Sequence, residues 1–216
     1  MRSYSQYCAV AKTLDVLGDR WTLLIVRELL LAGPSRYTDL RNGLPGIATN
    51  LLSDRLRDLE TAGIIAREDA PPPVASTLFR LTPRGEAIKP VLDELGRWGI
   101  PYMAEGPAPE DVFRGRWLAW PVELFLTDLE PDGPPVSIEL EADGDPVVLE
   151  VAAGVVGVRP GRAERPDAVI SGAPHAILGL LSGHLDVEQA RGRGLRIEGE
   201  VGLLDRLRPE QPPAAA

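Results

Sequence analysis

The stretch from Ile47 to Arg67 constrains the fold more than any other part of the sequence, because it specifies two elements and the junction between them. Its apolar positions recur at helical spacing and predict one buried helix face: Leu52, Leu56 and Leu59. Gly63 is well placed to end this helix, and the residues that follow, 64–68, read as a strand. Asn50, Ser53, Asp54 and Arg57 lie on the polar face of the helix, which is either merely solvated or binds a partner.

Regular elements are also predicted on both sides of this stretch. Three helices come before it, over residues 8–17, 21–32 and about 38–42. The strand at 64–68 and a second one at 77–81 enclose a proline-rich tip, which is typical of a hairpin. Thr82-Pro83 offers a side-chain cap and a proline in the first turn, so we expect a fifth helix from there to about Met103. Helices followed by a hairpin in this order predict a winged helix-turn-helix.

Several motifs in this half occur in a characteristic order: Gly18-x-x-Trp21-Thr22, Gly33-Pro34, Leu52-x-x-Arg55-Leu56-x-x-Leu59-Glu60, Gly63 and Leu81-Thr82-Pro83-x-Gly85. Over roughly residues 8–103, the sequence resembles the HxlR family of bacterial transcription regulators, which are relatives of the MarR type. The resemblance implies a DNA-binding and dimerisation domain over residues 1–105, double-stranded operator DNA as the partner, and repression rather than activation.

The resemblance also implies a homodimer, since the first and fifth helices usually form the interface in this family. Both predicted helices carry apolar stripes here: Val10, Leu14 and Leu17 on the first, with Ile88, Val91, Leu92, Leu95 and Trp98 on the fifth. Two copies would match the two-fold symmetry of an operator. The alternative is that these stripes pack within one subunit.

A helix with short polar residues in its first turns can enter the major groove and bring them to base edges. The candidate base contacts are Thr49, Asn50 and Ser53. Asn50 could bond an adenine bidentately, through its amide oxygen and nitrogen, and Thr49 and Ser53 could bond bases or phosphates. The candidate phosphate contacts are Arg36 and Arg41 before the helix, Arg55 and Arg57 on it, and Arg67 and Arg80 on the wing. Guanine is an alternative partner for Arg55 and Arg57, and the minor groove is an alternative location for Arg67 and Arg80. Arg55 has a second interpretation, because it lies toward the flank of the helix and could pair with an acid such as Glu60.

Three features depart from the family pattern. Ala48 stands where the family often has a serine, so the usual helix cap is absent and Thr49 could replace it with a shifted start. Asp54 lies on the predicted reading face. The wing tip, Asp69 to Pro73, is acidic and proline-rich, which argues against deep insertion of the wing. We therefore expect modest non-specific affinity for DNA and greater dependence on specific contacts.

Charge divides the chain into two parts. Residues 1–105 contain 13 basic and 13 acidic side chains, whereas residues 106–216 contain 10 and 19, so the whole net charge of −9 falls in the second part. This asymmetry predicts two domains with different partners, joined by a linker at residues 105–109. In the second part we expect helices at 113–129, 174–181 and 201–207, and strands at 136–140, 146–151, 154–159, 168–171 and 195–198. Residues 209–216 are predicted to be a disordered tail.

The second part carries a motif series of its own: Ala168-Val-Ile-Ser-Gly172, Ala176 to Leu181, Gly183-His-Leu-Asp186 and Leu195-Arg-Ile-Glu-Gly-Glu200. This series resembles the C-terminal part of sterol-carrier-protein-like domains. Over residues 110–208, it implies a small α/β domain with an apolar cavity that binds lipids or other hydrophobic molecules. The candidate lining residues are Trp117, Trp120, Leu124, Phe125, Ile138, Leu140, Leu178 and Leu181. The alternative is that all eight are ordinary core residues.

The expected fold class is therefore α+β: a mostly helical winged helix-turn-helix with a β-hairpin wing, followed by a sterol-carrier-like α/β domain. The expected function is transcription regulation, with a C-terminal domain that senses a small hydrophobic ligand or mediates assembly. A non-DNA-binding module that takes a hydrophobic ligand or a protein is an alternative from another class.

Cys8 is the only cysteine, so an internal disulfide is excluded and a bridge between two copies remains open. Some HxlR-family members sense oxidants or electrophiles through a cysteine in this N-terminal position. The resemblance therefore implies a second candidate function, a thiol-based redox regulator, against the simpler interpretation of Cys8 as a small core residue.

Other functional classes find little support in the sequence. No apolar run approaches the roughly 20 residues of a membrane helix, and the N-terminus lacks the apolar core of a signal peptide. A cytoplasmic protein without membrane partners is therefore expected. His175 and His184 have no matching cysteine or acid cluster, and glycine-rich phosphate loops and nucleophile elbows are absent. We expect no metal, no cofactor and no catalytic site.

Overall fold

The computed structural model describes residues 3–71, 76–103, 106–142 and 144–209. The chain divides into two compact units, Met1–Glu94 and Leu95–Ala216. The expected disordered tail lies outside the described residues from 210 onward, as do Pro72 and Pro73 of the expected wing tip. Within the described part of the chain, no helix has the length and hydropathy needed to cross a membrane.

The first unit contains the predicted helices and hairpin. Its elements are α1 (Ala9–Leu17), α2 (Thr22–Ala32), β1 (Ser35–Arg36), α3 (Tyr37–Gly43), α4 (Thr49–Thr61), β2 (Ile65–Asp69), β3 (Thr77–Leu81), α5 (Pro83–Glu86) and the start of α6 (Lys89–Gly99). The winged helix-turn-helix prediction is confirmed for this part of the chain. β1 was not predicted, because two residues show no periodicity. It pairs antiparallel with β3, and the sheet has the order β1-β3-β2.

Helix α4 is held by its apolar face. Leu52, Leu56 and Leu59 are all buried, as the leucine spacing predicts. Gly63 takes a φ of 68°, a left-handed conformation that a glycine adopts without strain. The N–H of Ile64 then bonds the carbonyl of Leu59 at 2.9 Å, which closes the helix and leads directly into β2.

The single fifth helix expected from Pro83 to Met103 is wrong. The structure has α5, then α6, then a 3-10 helix at Ile100–Met103. Two prolines account for the breaks. Pro90 has no N–H to donate to the carbonyl of Glu86, and Pro101 cannot donate to that of Arg97, so an uninterrupted α-helix through either position would lose a hydrogen bond and clash with a carbonyl.

The second unit contains the end of α6 and a mixed set of helices and strands. After a 3-10 helix at Gly115–Leu118 come α7 (Ala119–Phe125), β4 (Leu126–Asp128), β5 (Val136–Glu141), β6 (Val147–Ala152), β7 (Val155–Pro160), β8 (Ala168–Ser171), α8 (Pro174–Leu181), α9 (Val187–Gly192), β9 (Arg196–Gly199), a 3-10 helix at Val201–Arg206 and β10 (Leu207–Pro209). The main sheet has the order β7-β6-β5-β8-β9. β5 and β8 are parallel, and the other neighbours are antiparallel.

Two helices expected in this unit are wrong, and both for the same reason. Residues 113–129 form only a short 3-10 helix and α7 before continuing as β4, and residues 201–207 form a 3-10 helix before continuing as β10. β4 and β10 pair with each other, with Leu207 opposite Asp128. Pattern within one segment cannot reveal a strand partner so distant in the chain.

Helix α9 was also missed, although Asp186 and Gln189 form a capping box that marks its start.

A buried ion pair joins the ends of these two segments. The Arg206 Nε and Nη2 groups donate to the two carboxylate oxygens of Asp128 at 2.7 and 2.9 Å. The carboxylate also accepts the N–H groups of Glu130 and Gly154, at 3.0 and 3.2 Å. Hydrogen bonding from Arg206 is the main cause that lowers the pKa of Asp128 to about 2. The pair therefore holds the last described strand of the unit against its first strand.

We predict that Asp128→Asn is less stable than the wild type at neutral pH, because Arg206 then loses its charged partner in a buried site. The native pKa of Asp128 lies below the value of ~4 usual for an unfolded aspartate. Its contribution to the free energy of unfolding is thus complete above about pH 4 and is lost as the pH falls toward about 2. Denaturant unfolding followed by tryptophan fluorescence at several pH values measures both effects.

The matched control for this experiment is Asp132→Asn, which changes an exposed aspartate a few residues away. It should leave stability nearly unchanged at every pH. The role assigned to the ion pair is contradicted if Asp128→Asn is as stable as the wild type. It is also contradicted if the free energies of unfolding of the wild type and Asp128→Asn differ by the same amount at neutral pH and at about pH 3.

Candidate nucleic-acid interface

The polar face of α4 points to solvent because the opposite face is committed to the core. Thr49, Asn50, Asp54 and Arg57 are exposed, and Ser53 is half-buried. The structure thus brings the three candidate base contacts together on the first turns of one helix, in the arrangement that the periodicity predicts. Short polar side chains there can reach base edges if the helix lies in a major groove.

The start of α4 is held without an ordinary side-chain cap. Ala48 occupies the cap position and the helix begins at Thr49, so the shifted start considered for Thr49 does not occur. The carbonyl of Thr49 instead accepts two side-chain hydroxyls, that of Tyr37 at 2.8 Å and that of Ser53 at 3.0 Å. Asn50 Oδ1 accepts the N–H of Leu51 at 3.0 Å. Of these bonds, only the one from the Leu51 N–H to Asn50 satisfies a backbone donor of the first turn, as a capping side chain would.

Arg55 is a structural residue in this arrangement. One of its guanidinium nitrogens, Nη1, lies 3.2 Å from Asp19 and 3.1 Å from Asp58, and its side chain is 23% exposed. It ties α4 to the segment before α2. Glu60, the partner suggested by the sequence, is paired with Arg67 instead. The prediction that Arg55 pairs with an acid is thus confirmed, with Asp19 and Asp58 as the acids.

The other candidate arginines on α4 and the wing are also paired, but at the surface. Arg57 bonds Asp54 at 3.0 Å, Arg67 bonds Glu60 at 3.0 Å, and Arg80 bonds Glu68 at 3.0 Å. The Arg67 guanidinium additionally lies 5.4 Å from the centre of the Phe79 ring. Exposed pairs of this kind contribute only ~0–1 kcal/mol, so a DNA phosphate could replace the carboxylate at each of them.

Two further candidate arginines lie before α4. Arg36 is exposed in β1, at the cap position of α3, and its backbone N–H donates to the Asp39 carboxylate at 3.1 Å. Arg41 is exposed in the last turn of α3. Both lie on elements that precede the reading helix, as expected from their positions in the sequence.

Sequence reasoning missed Tyr37, which takes part in the hydrogen bonds at the start of α4. Its ring is half-buried, and its hydroxyl reaches a residue 12 positions later in the chain. The sequence offers only a weak signal for such a role: Tyr37 is an aromatic residue at the start of α3, the helix that precedes the reading helix. The bond itself depends on how two helices meet, which no pattern within either helix shows.

The candidate pocket residues of the second unit fall into two groups. Ile138, Leu140 and Leu181 belong to its main buried core, and Leu178 packs against that core. Around α7, Leu124 and Phe125 are buried, while Trp117 and Trp120 are half-buried. An open cleft of ≈ 440 Å³ lies elsewhere on this unit and is polar in character. Its lining residues are Glu141, Gly144, Ser171, Gly172, Gly194 and Arg196.

Cys8 is exposed, which excludes the interpretation as a small core residue. It occupies the position before the first residue of α1. Hydrogen bonding from the backbone N–H groups of Ala11 and Val10 lowers the pKa of its thiol. Exposure and a lowered pKa are the two properties that make a thiol reactive.

Comparison with known proteins identifies relatives of the first unit. The family described as HxlR-like helix-turn-helix matches residues 16–107. The uncharacterised HTH-type transcriptional regulator YvaP of Bacillus subtilis strain 168 is 34% identical over 92 residues, which are 43% of this chain and 84% of YvaP. The uncharacterised HTH-type regulator sll1512 of Synechocystis is 37% identical over 98 residues, 45% of this chain and 72% of the relative.

A solved structure covers the same region. The reduced form of the transcriptional regulator YodB from B. subtilis is 28% identical, with a TM-score of 0.40, and covers 47% of this chain and 100% of that chain. These three similarities all involve roughly half of the present chain, or somewhat less.

Proposed function

Because the chain belongs to the HxlR-like helix-turn-helix family and is a transcriptional regulator of that type, we propose that it reads an operator through the first turns of α4. One observation carries this proposal: Thr49, Asn50 and Ser53 lie together on a face that burial of the opposite leucines turns outward. Arg36, Arg41, Arg57, Arg67 and Arg80 would contact phosphates. Arg55 is left out of this set, because it holds α4 to the segment before α2.

We predict that Asn50→Ala/Ser53→Ala lowers the affinity for the operator by about 10- to 100-fold, since a good base contact contributes ~1–3 kcal/mol of discrimination. The measurement is fluorescence anisotropy with duplex DNA from upstream of the gene for this protein, and with an unrelated duplex of equal length. Affinity for the unrelated duplex should change little, because phosphate contacts dominate it.

Thr61→Ala is the matched control, as Thr61 is an exposed residue at the far end of the same helix. It should bind as the wild type does. Weak binding of all duplexes that depends steeply on salt and is equal in the double variant would show that only phosphates are recognised. If further duplexes gave the same result, the alternative of a module that no longer binds DNA would replace the operator-reading proposal.

The protein is further proposed to act as a homodimer. Exposed apolar side chains support this: Val10 and Leu14 on α1, Val91, Leu95 and Trp98 on α6, with Tyr102 and Met103 beyond it. Trp98 is 69% exposed, although its ring packs against that of Tyr102 at 5.2 Å. Residues 91, 95, 98 and 102 recur at helical spacing, and such a stripe left in water is typical of a protein interface. Leu17, Ile88 and Leu92, by contrast, are buried within the chain.

We predict that Trp98→Glu converts a dimer into a monomer, because it places a charge in the centre of this stripe. Sedimentation velocity over a range of concentrations measures the change in mass. Val155→Glu, at another exposed apolar residue, is the control and should leave the mass of the assembly unaltered. A wild type that sediments as a single chain at all concentrations would refute the dimer.

The second unit is proposed to be a sterol-carrier-like effector domain that binds a small hydrophobic molecule or mediates assembly. The resemblance in sequence is supported by the order β8, α8, α9, β9, and by an apolar core between sheet and helices. Of the candidate lining residues, Trp117 and Trp120 are the half-buried aromatic ones. Absence of any saturable binding of an apolar fluorescent probe to the full-length protein would remove the ligand-binding part of this proposal.

A thiol-based redox regulator is the second candidate function, and the exposure of Cys8 and the lowered pKa of its thiol favour it. We predict that an oxidant such as diamide weakens operator binding of the wild type and leaves Cys8→Ser unaffected. Gel electrophoresis without reductant would show whether oxidation joins two chains. Equal sensitivity of both proteins to diamide, or no response in either, would count against a redox role of Cys8.

A further inference from the structure

Tyr37 lies outside the candidate DNA contacts, yet it makes a contact on which the presentation of those residues depends. Its hydroxyl donates to the carbonyl of Thr49 at 2.8 Å, which joins the first residue of α3 to the first residue of α4. These are the two helices of the helix-turn-helix. The phenol ring is a rigid connector, so this bond fixes where the first turn of α4 lies relative to α3.

The same carbonyl fixes the hydrogen-bonding state of Ser53. The Ser53 Oγ donates to the Thr49 carbonyl at 3.0 Å and lies 3.5 Å from the Tyr37 hydroxyl. A serine hydroxyl has one proton to donate and lone pairs with which to accept. With its proton directed to Thr49, Ser53 faces outward as an acceptor only.

The outward group of Asn50 is restricted in the same way. Its Oδ1 accepts the N–H of Leu51 at 3.0 Å, in a helix whose cap position carries an alanine. The amide nitrogen, a donor, remains for DNA, together with the second lone pair of the oxygen. The first turns of the helix thus offer a donor at Asn50 and an acceptor at Ser53. The expected bidentate contact of Asn50 with adenine stays a prediction.

We propose that Tyr37 is a positioning residue for operator recognition: it bonds the Thr49 carbonyl that also accepts the Ser53 hydroxyl, and so orients the first turn of α4, from which Ser53 is offered to DNA as an acceptor. In the major groove, the matching donors are the amino groups of adenine N6 and cytosine N4. The inference rests on the proposed reading function of α4. It goes beyond that function in two ways. Tyr37 contributes to recognition without touching a base, and the DNA group that bonds Ser53 is identified as an exocyclic amino group.

The first test uses Tyr37→Phe, which keeps the ring and removes only the hydroxyl. A duplex is selected by the full-length wild type from a randomised pool, and its affinity is compared with that of an unselected duplex. Tyr37→Phe should bind the selected duplex about tenfold more weakly and the unselected one equally well. A merely structural role of the hydroxyl would alter stability or weaken both duplexes alike. Tyr7→Phe, at an exposed tyrosine, is the control and should match the wild type.

The second test examines Ser53 without altering Tyr37. The exocyclic amino group is deleted from each adenine and cytosine of the selected duplex in turn, with purine or 2-pyrimidinone as the replacement base. At one position, this deletion should weaken binding of the wild type severalfold and leave Ser53→Ala unaffected. In addition, the effects of Tyr37→Phe and Ser53→Ala should be less than additive, because both act through one carbonyl.

The outcomes separate this inference from the function on which it rests. If the wild type selects no sequence from the pool, the reading function of α4 is overturned and the inference with it. If the wild type is selective and Tyr37→Phe discriminates equally well, only the positioning role is overturned. The same holds if no amino-group deletion distinguishes the wild type from Ser53→Ala.

Discussion

Burial of one face of α4 is the constraint on which the rest of the recognition surface depends. Leu52, Leu56 and Leu59 are almost completely inaccessible, and each contributes roughly 1.5–3 kcal/mol when removed from water. A helix rotates by about 100° per residue, so any other rotation of α4 would expose these leucines. The outward direction of Asn50 and Asp54 thus follows from the core. The side chains offered to DNA can vary, provided that the buried leucines remain.

The electrostatics of the surface follow from pairing rather than from an excess of positive charge. The first 105 residues are neutral, and Arg57, Arg67 and Arg80 each have a carboxylate partner, on α4 for the first two and on the neighbouring strand for Arg80. Contact with a phosphate therefore exchanges one anion for another. Such an exchange gains less than the neutralisation of a free arginine, so non-specific affinity should be modest. Discrimination then depends more heavily on the few uncharged groups at the start of α4.

The sequence was sufficient where a structural cause lies within one segment. The spacing of Leu52, Leu56 and Leu59 predicted α4 and its orientation, and Gly63 predicted its end. The same sequence could not rank Asp19 above Glu60 as a partner for Arg55, because Asp19 is brought near only by the packing of α4 on the segment before α2. Strand β10 could not be predicted for the same reason, because its pairing partner β4 lies far away in the sequence, near the other end of the unit. Pro90 was a local signal that the expectation of one long helix overlooked.

Helix α6 carries both the proposed dimer stripe and a close contact with α7. The helix begins in the first unit and ends in the second. Gly96 allows α7 to pack closely against it, because a Cβ atom there would lie 3.2 Å from Trp120 Nε1 and 3.4 Å from Leu124 Cδ2. Two proposed surfaces therefore depend on one helix: the dimer stripe on its exposed side, and the pocket candidates Trp120 and Leu124 packed against Gly96. A ligand changes DNA affinity only if it binds two arrangements of the protein unequally. Under the effector proposal, a ligand beside Trp120 or Leu124 would therefore have to favour one of two packings of α7 on Gly96.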